Sequence, residues 1–83
     1  RLQIVQDALK KKNIKYEYTE IDAAEVLIFC FGGLKFHVWE YEDRVWGAET
    51  NIYEAGAVED IEGNYEEVIA REILSWPDMM PGS

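Results

Sequence analysis

Residues 25–31, EVLIFCF, are the feature that most restricts this chain. The run is apolar, seven residues long and rich in strand formers, and it stops at Gly32-Gly33. A helix apolar on every side would be longer, so the run reads as a central strand. Two glycines in succession tolerate positive φ at both positions and make a two-residue hairpin turn. The next segment, LKFHVWEY, is then the neighbouring strand, with Phe29 opposite Phe36 and Leu27 opposite Val38.

Two more strands follow the same logic. IKYEYTE alternates, placing Ile14, Tyr16 and Tyr18 on one side, and RVWGAET resumes after Glu42-Asp43. A two-residue turn at Glu42-Asp43 sets Trp39 opposite Trp46 and His37 opposite Ala48. A three-residue loop instead places the two indoles on opposite faces, because side chains alternate along a strand.

Helical spacing appears only at the ends. RLQIVQDALKKKN brings Leu2, Val5 and Leu9 to one side, with lysines in the last turn and Asn13 as a stop. NYEEVIAREILSW carries Tyr65, Val68, Ile69, Ile73 and Trp76 at spacings of three and four, and Asn64 with Glu67 resembles a capping box. Pro77 ends it. The expected fold is α+β: a four-stranded antiparallel meander with the N- and C-terminal helices on one face, in the order α-β-β-β-β-α. Residues 1–78 form one domain, and 79–83 a loose C-terminal tail. Residues 51–63 read as acidic, turn-rich chain.

Such a sheet has two apolar sides. One collects Leu27, Phe29, Phe31, Leu34, Phe36, Val38 and Val45, with Glu40 and Glu49 toward its margins, and the helices belong there. The other collects Val26, Ile28, Cys30, Lys35, His37, Trp39, Tyr41, Arg44 and Trp46. Two short helices shelter one side only. The aromatics of the second side either complete a core beneath residues 51–63 or form a binding face. Trp39, Trp46, Tyr41, His37 and Arg44 are its candidate partner-binding residues, since tryptophan and tyrosine offer large contact area at low entropic cost.

Charge narrows the partners. The net charge is −9 over 83 residues. Residues 40–67 hold ten acids against Arg44, whereas residues 1–15 carry a net +4. Direct nucleic-acid binding is disfavoured, because phosphate neutralisation supplies most non-specific affinity. The acids, among them Glu49, Glu54, Glu59, Asp60 and Glu62, read as a solvated surface or as a face for a basic partner.

No chemistry is legible. His37 as a general base beside Glu49 or Glu40 is the one enzymatic reading, and Glu40, three residues along the strand, points to the other face. Metal-ligand spacing, a phosphate loop and a nucleophile–base pair are absent from the sequence pattern, and Cys30, the single cysteine, sits inside a hydrophobic strand. No cofactor is expected. No apolar run approaches the ~18–20 residues that span a bilayer and no signal-peptide pattern is visible, so a cytoplasmic location is the default expectation.

The motifs KYEYTE-D, HVWEY…WGAE-N…AG and GNYEE-I…SW resemble those of a family of small acidic bacterial proteins of unknown function. The resemblance implies no activity. It does imply that Gly47, Ala48, Glu49, Asn51, Ala55 and Gly56 form a characteristic turn or loop beside the second hairpin, with Asn51 bracing it and Glu49 accepting backbone hydrogen bonds. The leading expectation is a non-catalytic interaction domain that binds protein, including a second copy of itself, through its aromatic face. The alternatives are an acidic inhibitor or nucleic-acid mimic acting through residues 40–67, and a small enzyme using His37.

Overall fold

The computed structural model describes residues 2–54 and 57–77, so Ala55, Gly56 and the expected 79–83 tail lie outside the described residues. Helix α1 (Gln3–Lys11) leads into strands β1 (Tyr16–Ile21), β2 (Ala24–Phe31), β3 (Leu34–Asp43), β4 (Val45–Thr50) and β5 (Glu59–Glu62), and helix α2 (Tyr65–Ser75) closes the order. The strands form one antiparallel sheet in chain order, a five-stranded meander rather than the four strands expected.

Local chemistry explains the helix ends. Asn13 takes φ 59, its N–H donates to the Lys10 carbonyl, and Ile14 N–H donates to that of Leu9. This left-handed C-terminal cap satisfies two orphan carbonyls and brings Ile14 against Leu9, both in the core. Asn64 precedes α2, but its side chain makes no capping hydrogen bond. Trp76 has left the helix: it is extended, at φ −67 and ψ 149. A residue before proline is pushed out of helical geometry, so Pro77 sets this conformation.

Both helices pack on one face. Leu2, Val5, Ala8 and Leu9 of the first helical segment join Tyr65, Ile69, Ala70 and Ile73 over Leu27, Phe29, Phe36, Val38, Ala48 and Ile52. The Gly32-Gly33 turn, at φ 61 and 80, pairs Phe29 with Phe36 and Leu27 with Val38, as the turn chemistry implies.

The second hairpin departs from the two-residue turn. Its apex is Arg44 at φ 70, and the register pairs Trp39 with Glu49, Glu40 with Ala48 and Glu42 with Trp46. A two-residue turn needs positive φ at both positions, which glutamate at Glu42 does not favour, and the chain runs one residue further. The core decides the matter. This register turns Ala48 and Thr50 inward and Glu49 outward, whereas the shorter turn would bury Glu49. Val45 is therefore exposed and off the core face, and Leu34 is exposed at the hairpin tip. Glu40, expected at the margin, is buried.

β5 falls where acidic loop was expected. Only Ile61 faces the core, opposite Ala48. Gly47 admits this strand closely: a Cβ there would lie 2.9 Å from the Ile61 carbonyl oxygen and 3.0 Å from the Tyr41 hydroxyl.

Candidate functional site

Among the described residues, no helix or strand packs over the sheet side away from the helices. Strand register orders its side chains into rows. Lys15, Cys30 and Lys35 form one end, followed by Glu17, Ile28 and His37. Next come Thr19, Val26, Trp39, Glu49 and Asp60, then Ile21, Tyr41, Gly47 and Glu62. Val26 is almost fully buried yet stands outside the main core cluster, which places it beneath its own face's side chains, cross-strand to Trp39. Ile28, His37, Trp39 and Tyr41 are half-buried, and Cys30, expected within a hydrophobic strand, is exposed.

The loop after β4 does not lie over this face as it leaves the sheet. Ile52 enters the helix-side core, and the Tyr53 hydroxyl donates to the Val68 carbonyl of α2. Asn51 extends the sheet with its side chain: its Oδ1 accepts the His37 N–H at 2.9 Å and its Nδ2 donates to the Lys35 carbonyl. Thr50 donates its hydroxyl to the His37 carbonyl at 2.7 Å. Gly47, Ala48 and Glu49 are thus strand residues rather than a loop, and Asn51 braces β3.

The expected partner-binding residues divide. His37, Trp39 and Tyr41 share the open face. Trp46 emerges on the helix side, 40% exposed, beside Ile4, Asn64, Tyr65 and Glu66. Arg44 sits exposed at the hairpin apex. The acids divide too: Glu49, Asp60 and Glu62 are on the open face, Glu54 is exposed in the loop, and Glu59 acts on Tyr53 at the helix side. Among the described residues no group of three or more His, Cys, Asp or Glu side chains could hold a metal ion. No described helix is long and apolar enough to cross a membrane.

One groove reunites the divided aromatics. β3 continues to Asp43, past its last pairing with β2 at Glu25–Glu40. The overhang leaves a step beside the Asp22-Ala23 turn, whose residues take φ 51 and 67. The resulting groove, about 460 Å³, is lined by Ile21–Ala24, by Trp39 and Tyr41, and by the cross-strand pair Glu42 and Trp46. Ile21, Asp22, Ala23 and Glu42 escaped the sequence reading. Counting residues outward from the Gly32-Gly33 turn, which fixes how far β3 outruns β2, is the signal that locates them.

Negative charge surrounds the Tyr41 phenol. Burial first, then Asp60, Glu62, Asp43 and Glu49, push its pKa above 10.0. The folded chain therefore keeps this proton at a pH where the unfolded chain releases it, and stability falls as pH climbs through and above 10. Tyr53 is raised as well, by burial, Glu72 and Glu59. Titration followed by phenolate absorbance should show Tyr41 ionising at lower pH in Glu62→Gln than in the parent. An unchanged curve would mean that these carboxylates do not act on the ring.

Fold and face together define a two-layer α+β domain in which the described residues leave one sheet side without a covering layer. Comparison with known proteins found no matching family model, curated protein or solved structure.

Proposed function

We propose that this chain is a non-catalytic interaction module that docks protein on the open face of its sheet, with a second copy of the chain as the partner. The observation that carries the reading is the layout of that face. Its middle is apolar and aromatic, through Val26, Ile28 and Trp39, and opposite corners carry opposite charge. Lys15 and Lys35 stand at the end of β1–β3 that adjoins the Gly32-Gly33 turn, whereas Asp60 and Glu62 stand on β5 toward the other end.

A two-fold axis along the remaining diagonal lays the basic corner of each copy over the acidic corner of the other. Sheets stacked this way cross near a right angle, one of the two preferred sheet-on-sheet arrangements. Trp39 of each copy then meets the Ile28 region of its mate. An isologous contact of this kind is self-complementary by construction.

Charge exchange tests it. The parent chain should sediment as a dimer at micromolar to millimolar concentration. Lys15→Glu/Lys35→Glu and Asp60→Lys/Glu62→Lys should each be monomeric, and their equimolar mixture should restore a dimer. One pair makes the chain more acidic and the other less, so loss in both cannot come from net charge. All four side chains are exposed, and circular dichroism checks that the fold survives. A parent that stays monomeric, or variants that dimerise as it does, overturns the reading.

A further inference from the structure

We propose that the groove beside the Asp22-Ala23 turn is a binding site for an organic cation, specifically a methylated ammonium group. The inference goes beyond self-docking. The groove lies at the step where the β3–β4 hairpin overhangs the sheet, and half of its wall, Asp22, Ala23, Glu42 and Trp46, belongs to no part of the docking surface.

Three observations converge. First, three aromatic residues, Trp39, Tyr41 and Trp46, line the groove, although strand alternation assigns the first two to one sheet face and the third to the other. Only the unpaired overhang lets both faces contribute to one recess. Indole and phenol rings attract cations through their quadrupole, tryptophan most strongly.

Second, the lining holds two acids, Asp22 and Glu42, and no basic side chain. Four further carboxylates, Asp60, Glu62, Asp43 and Glu49, act on the hydroxyl of Tyr41 at the groove wall. An anionic ligand would meet net repulsion at this end of the sheet, where these six carboxylates outnumber the one nearby cation, Arg44 at the hairpin apex. A cation would meet a field that accumulates it.

Third, the remaining wall is apolar: Ile21, Ala23 and Ala24. A bare ammonium or small metal ion is strongly hydrated and gains little from shedding water against methyl groups and rings. A quaternary ammonium is weakly hydrated, presents methyl groups to the same surfaces and keeps its charge. Aromatic cages use this combination. The shared chemistry is the methylated ammonium head, whether free, as in choline, or on a methylated lysine of another protein.

The test uses the intact chain and compares choline with 3,3-dimethylbutan-1-ol, its uncharged carbon isostere. Choline should shift the amide and ring resonances of Trp39, Tyr41, Trp46 and Ala23 saturably, with the isostere at least about tenfold weaker. Glu42→Gln and Tyr41→Leu should each weaken choline several-fold while the remaining resonances stay in place, which shows the fold intact. A trimethyllysine peptide more than tenfold tighter than choline assigns the site to a methylated protein, and equal affinity assigns it to a free head group. Equal binding of choline and its isostere, shifts centred elsewhere, or no saturation at concentrations of tens of millimolar would overturn the proposal. Trp39 belongs to both surfaces, so the choline titration is run on the monomeric Lys15→Glu/Lys35→Glu variant as well as on the parent, and either idea can then fail alone.

Discussion

Trp76→Ala is expected to destabilise the folded chain by about 3–5 kcal/mol. A domain of 83 residues has a total stability of only about 4–12 kcal/mol, so the variant will be marginal or unfolded at 37 °C. The indole stacks on Phe31 with ring centroids 4.9 Å apart and planes 17° apart, and lies 5.2 Å from Phe36 and 6.2 Å from Phe29. It closes the end of the core beyond α2. Its Nε1 donates to Glu72, and its carbonyl accepts from the Lys12 side chain, which ties the ends of the two helices together. Trp76→Phe keeps the ring contact and should lose much less. Urea denaturation followed by circular dichroism measures both, and a loss under about 1 kcal/mol for the alanine variant would show that the cluster contributes little.

The second large effect concerns the buried carboxyl of Glu40, 1% exposed on the core face between Glu25 and Ala48 of the neighbouring strands. The Tyr65 hydroxyl, from the first turn of α2, donates to its Oε2. Tyr65→Phe removes that donor without opening a large cavity. The expected loss is about 1–3 kcal/mol, the cost of taking a donor away from a buried acceptor. With Glu40→Met in place the same tyrosine change should cost far less, because no buried oxygen is left waiting for it. A double-mutant cycle gives the coupling directly. Strict additivity would mean that the bond does not anchor α2 to β3.

The contrast between these two residues shows how far the sequence carries. Trp76 lies on the helical stripe by spacing, and its contribution to the core was foreseeable; its role as a bridge to three phenylalanines was not. That role follows from Pro77, which ejects Trp76 from the helix and aims it at the β2–β3 hairpin. Glu40 reads as a marginal residue because a glutamate is rarely buried unless paired. Its partner is 25 residues away, and nothing local announces it.

The candidate site divides in the same manner. His37, Trp39 and Tyr41 share a face because they alternate along one strand next to a turn of unambiguous chemistry. Trp46 needed the register of a second hairpin whose turn residues are indifferent, and it emerged on the other side. The groove that brings Trp46 back to Trp39 and Tyr41 arises from unequal strand lengths.

The chain on its own therefore determines the two helices, the order of the four longer strands, the first hairpin's register and the surplus of apolar sheet surface. Each depends on spacing or turn chemistry within about a dozen residues. Tertiary structure decides the β3–β4 register, the pairing of β5, the burial of Glu40 and the aromatic groove. In each of these the local preference is weak, and the outcome goes to whichever arrangement keeps Ala48 and Thr50 inside and Glu49 out, since sliding a strand by one residue reverses every side chain on it.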